Sequence, residues 1–157
     1  MDVDFFIRWL HIIGACVLFG TGSGIAFFMV MAHRTRNAVV IAHTAGIVVL
    51  ADLLFTATAV VAQPITGAIL AHRIGWSLTE GWVAASLGFY VLTGLFWLPV
   101  VWIQAEMRKI ARLAVSLGHT DLPDRYYRLY RIWFACGFPA FGAVMAIIWL
   151  MIAKPSF

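Results

Sequence analysis

Charge is scarce in this chain: of 157 residues only 11% are charged, seven of them acidic and eleven basic. A soluble domain carries about 25% charged residues. A water-soluble fold of this length would need more polar cover than is available, so the apolar surplus, 63% of all residues, has to face lipid. Cysteine is nearly absent. Cys16 and Cys136 lie inside apolar runs with no Cys-x-x-Cys spacing, and they read as small buried hydrophobes rather than a disulfide or a metal site. There is no phosphate-binding glycine loop, no His-x-x-x-His pair and no arguable Ser-His-Asp order, and carboxylates are too sparse to cluster around a hard metal. The inverted repeats of ion-coupled transporters are missing as well. Met1-Asp2-Val3-Asp4 is acidic where a secretory signal would be basic, and no cleavage site follows, so no cleavable signal is expected.

What remains is apolar, in long runs. Four segments reach the length of about 20 residues that a spanning helix needs: about 5–32, 38–62, 82–104 and, at its membrane part, 132–153. Lipid offers backbone amides no partner, which leaves helix as the conformation available. The expectation is an all-α, polytopic membrane four-helix bundle forming a single domain over 1–157. Arg34, Arg36, Arg108, Lys109, Arg112, Arg125, Arg128 and Arg131 gather in two of the connections, against Arg8, Arg73 and Lys154 on the opposite side. The positive-inside rule places the first group in the cytoplasm and both termini outside, as for a multi-pass protein of a bacterial inner membrane. The same scatter along membrane flanks accounts for the net charge of +4, and no nucleic-acid partner is expected.

The long inner connection is amphipathic. Apolar and basic residues alternate at helical spacing over 106–117, so the third helix is expected to extend to 117. Gly118 can end it in a left-handed cap. Thr120 or Asp121 then caps a fourth helix over 122–153, with Pro123 in its first turn. Arg125, Tyr126, Tyr127, Arg128, Tyr130, Arg131 and Trp133 form a basic-aromatic collar suited to an interface of anionic headgroups. On the outer side, Pro64 and Gly67 interrupt an apolar run, which points to a kink or a short half-helix.

Polar groups inside the membrane are costly and point to function. Asp52 stands near the middle of the second helix, where a carboxylate needs a partner or a proton. Thr56 and Gln63 share its face, a polar stripe aimed at the bundle interior. Packing glue is the alternative role for Asp52. His11 lies about 9 Å inside the outer end of the first helix. Gly14, Leu18 and Gly22 share its face and clear space beneath the imidazole, as a flat macrocycle bound to an axial His would need; Gly20 and Gly24 have the spacing of a helix-docking face. A hydrogen-bonded core histidine is the alternative. His43 lies at the opposite depth, too far to share an iron whose axial nitrogens sit about 4 Å apart. His72 is the better second ligand if its half-helix folds back. His33 and His119 read as solvated.

The stretch Phe6-Ile-Arg-Trp9-Leu-His11-Ile-Ile-Gly14, then Phe19-Gly20 and an apolar run to Ala32-His33-Arg34, resembles the first helix of the membrane protoporphyrinogen oxidases and of the copper-resistance D membrane proteins. Gln63-Pro-Ile-Thr-Gly67 and Gly94-Leu-Phe-Trp-Leu-Pro99-Val-Val-Trp-Ile-Gln104 are more similar to a related bacterial family of four-helix integral membrane proteins of unknown function. The resemblance implies haem b on His11. It also implies a third-helix lysine, and Ser86 stands in its place, which argues against oxidation of protoporphyrinogen.

Three functions follow as expectations. The first is a haem b-binding protein for electron transfer or oxidation of a hydrophobic substrate, with His11 as axial ligand and Asp52 as proton relay. The second is a small transport or metal-handling protein in which Asp52 titrates. The third is a structural subunit of a membrane complex, docking as a homo-oligomer or on a partner subunit. Whether the chain is an enzyme stays open.

Overall fold

The structure, a computed structural model, describes residues 2–156. Four helices make up the fold: α1 (Val3–Arg34), α2 (Ala38–Ile74), α3 (Gly81–Ser116) and α4 (Asp124–Ala153), each long and apolar enough to cross a membrane. Among the described residues there is no strand. The helices run up and down, so both termini lie at one end and the two arginine-bearing connections at the other, here called the terminal and basic ends.

Local chemistry sets the helix limits. Asn37 caps α2 with its carboxamide oxygen, which accepts from the Val39 and Val40 amides at 2.9 and 3.2 Å. Gly75 and Gly118 end α2 and α3 at φ 86° and 72°, a left-handed conformation that glycine adopts without strain. The helix α4 starts two residues later than expected, with Pro123 preceding rather than entering its first turn.

The second helix does not stop at Ala62. It continues through Pro64 to Ile74 with no separate half-helix. Proline removes one donor, and the carbonyl left without its helical partner is that of Val60. The Tyr90 hydroxyl, reaching over from α3, donates to it at 2.6 Å. With that bond supplied, the helix can pass through the proline in a medium that offers no water.

The apolar core occupies the basic half of the bundle. Met29 from α1, Ile41 from α2, Met107 from α3 and Tyr126 from α4 meet there almost wholly buried. Small residues on facing sides, Ala38, Ala42 and Ala45 of α2 with Ala111 and Ala114 of α3, let backbones approach closely, which is how helices associate where lipid removes the hydrophobic drive. Outward-facing Phe28, Leu53, Leu95, Phe138 and Ile152 present the apolar surface that hydrocarbon requires.

The collar is sorted by face rather than spread through the headgroups. Tyr126 and Trp133 point into the core, while Arg125, Arg128 and Arg131 point out. His33, expected to be solvated, is half-buried and stacks on Tyr130 with ring centroids 3.5 Å apart and planes 4° from parallel. Arg125 donates to Glu106 at 3.1 Å, tying α4 to the α3 extension. Cys16 corrects another expectation, since it is exposed rather than buried; Cys136 is intermediate, and both are free.

Candidate functional site

The terminal half holds the polar residues, and hydrogen bonds do much of the packing there. Arg73 pairs with Asp4. One level deeper, His11 Nδ1 meets Thr66 Oγ1 at 2.7 Å. The Thr66 hydroxyl sits 2.8 Å from the carbonyl of Ala62, one turn back. With its proton donated there, its oxygen accepts from Nδ1–H and leaves Nε2 with the lone pair. The Gln63 carboxamide donates to the His11 carbonyl at 2.8 Å. Glycine makes room for both contacts: a Cβ on Gly67 would come within 3.2 Å of the imidazole and crowd it, and a Cβ on Gly14 would collide with the Gln63 amide.

Asp52 stands deeper on α2, fourteen residues from Ala38, or about 21 Å along the axis. It begins a single π-helical turn, Asp52–Thr56, in which the Ala57 amide returns to the Asp52 carbonyl five residues back. Such turns insert one residue into a helix and are frequent at functional sites. Asp52 is only 6% exposed and so is Thr56. Trp97 donates its indole N–H to the carboxylate at 3.3 Å. The Thr56 hydroxyl is buried beside the same carboxylate and faces it. A carboxylate has about four acceptor positions, and here an indole N–H and one hydroxyl are the groups that face them.

Asp52, Thr56 and Gln63 are therefore all buried on one side of α2. The structure does not bring the other sequence candidates to them. His72 is exposed on the unbroken helix, two turns beyond Thr66, and nothing folds it back onto His11. Gly22 and Gly20 have open space where a side chain would be. Ser86 is buried with its hydroxyl donating to the Trp82 carbonyl at 2.8 Å. Among the described residues no three His, Cys, Asp or Glu side chains gather as metal ligands would.

Donor chemistry at His11 suits an axial ligand, because a ring nitrogen is left free while the other is held by a hydrogen bond. Space does not suit one. The room that Gly14 opens toward α2 is filled by Gln63, and that at Gly67 by the imidazole itself, so the residues present do not fit a haem between α1 and α2. Sequence reasoning missed Trp97, Tyr90 and the π-turn. The one available signal for Tyr90 is Pro64, whose missing amide leaves a carbonyl that a neighbouring helix has to serve.

Residues 5–155 match the family described as "Predicted integral membrane protein (DUF2269)", and the chain belongs to it. No curated protein and no solved structure matches.

Proposed function

We propose that this is a small transport protein in which Asp52 takes up and releases a proton as cargo crosses the membrane. One observation carries the reading: a buried carboxylate in mid-span, seated on a π-turn, with only an indole N–H and a threonine hydroxyl facing it and, among the described residues, no cationic side chain paired with it. In apolar surroundings such a group needs either a proton or a cation at its open positions. The apolar core lies on the basic side of Asp52. On the terminal side α2 and α3 are linked by the reach of Tyr90 and Trp97, a looser closure through which a proton or small polar solute can arrive. The basic end then faces the cytoplasm of a bacterial inner membrane, and the open Gly20 side of α1 supports self-association or a partner subunit.

Infrared difference spectroscopy of the reconstituted protein tests this without knowing the cargo. A carboxylic-acid carbonyl band should appear and vanish with pH in wild type and be missing in Asp52→Asn. A spectrum unchanged by that substitution overturns the proposal. Haem b on His11 has the sequence resemblance and the free Nε2 in its favour, and the filled space beneath the ring against it.

A further inference from the structure

The basic end carries a feature that a proton-exchanging Asp52 does not explain. Arg112, on the extension of α3, lays its guanidinium across α2 at Gly46: a Cβ there would lie 3.2 Å from Nη2. Ala42, His43, Gly46, Ile47 and Leu50 of α2 line a groove of about 360 Å³ with Arg112. Among the described residues the ion pairs are Arg73–Asp4 and Arg125–Glu106, so the Arg112 charge has no carboxylate partner. Its floor is apolar and its one charged wall is cationic.

From this arrangement we infer that the α2–α3 groove is a binding site for an anionic phospholipid. The guanidinium takes the phosphate through its planar fork of donors, and His43 can add an imidazole N–H to the same headgroup. Ile47 and Leu50 continue the groove one and two turns deeper toward mid-membrane, where an acyl chain would lie. Three observations favour a lipid over a soluble anion. The groove is open along its side, its apolar residues lead into the span, and its charge stands where a basic pocket between helices meets headgroups. Gly46 lets the guanidinium lie close to the α2 backbone, and a side chain as large as leucine would displace it.

Binding of fluorescent phosphatidylglycerol to the full chain in zwitterionic micelles tests the assignment, with Arg36→Gln as a charge-matched control outside the groove. Arg112→Gln and Gly46→Leu should each weaken binding about tenfold, the worth of one charge-assisted contact, while the control binds as wild type does. Equal loss in Arg36→Gln and Arg112→Gln would reduce the effect to net charge and overturn the site. Equal affinity for labelled phosphatidylcholine, or full displacement by millimolar inorganic phosphate, would overturn the lipid assignment. Arg112 is exposed, so its substitution leaves the core intact, and unchanged thermal unfolding of Arg112→Gln confirms that binding alone is read.

Discussion

The Gln63 carboxamide occupies the place where a side chain on Gly14 would stand, and from there it donates to the carbonyl of His11 at 2.8 Å. One glycine on α1 and one amide on α2 thus fix the register of the two helices. Gly14→Ala should lower stability by about 1–3 kcal/mol through overpacking. Adding Gln63→Ala removes the clash, so the double variant should be less destabilised than the two single losses combined, as thermal unfolding in micelles will show. Strict additivity would mean that the two residues are not in contact.

A second pair tests how α2 passes through its proline. Tyr90→Phe strands the Val60 carbonyl in an apolar setting and should cost about 1–3 kcal/mol. In a Pro64→Ala background the restored backbone amide takes that carbonyl, and the same Tyr90→Phe change should then cost less than half as much. An equal cost in both backgrounds contradicts the account of Val60.

Haem is decided by an optical spectrum. With Gln63 filling the space at Gly14, protein purified from cells supplied with haem should show no Soret band that depends on His11. A band present in wild type and lost in His11→Ala would mean that Gln63 gives way to a macrocycle.

Topology follows from the distribution of arginines. In a Cys16→Ala, Cys136→Ala background, a membrane-impermeant thiol reagent applied to intact cells should label Ser156→Cys and spare Arg36→Cys. The reverse pattern would invert the orientation and reassign the looser half of the bundle to the cytoplasm.

Much of this architecture was legible in the residues, because lipid imposes a blunt rule: long apolar runs must be helix, and basic residues gather at their ends. The αL cap at Gly118 and the burial of Asp52, Thr56 and Gln63 followed from local chemistry and helical period. What was hidden depended on partners distant in sequence. Pro64 reads as a break until Tyr90 is seen to supply the missing donor. Tyr126 and Trp133 read as headgroup anchors because composition cannot tell which face of α4 meets α3. Gly14 looked like empty space, since nothing in the sequence announces that Gln63 fills it. The π-turn has no signature among Asp52-Leu-Leu-Phe-Thr56, all of which suit an ordinary helix.

The most direct test of a proton-exchanging Asp52 is proton movement itself. In vesicles reconstituted with the protein and loaded with a pH-sensitive dye, an imposed potential should drive internal pH change with wild type, because a carboxylate that exchanges its proton with both sides passes protons even when no cargo is bound. Asp52→Asn, equally folded by circular dichroism, should reduce that rate to the level of protein-free vesicles, and Asp52→Glu should retain part of it. Undiminished proton flux through Asp52→Asn would contradict the proposal that this carboxylate is the working group of the protein.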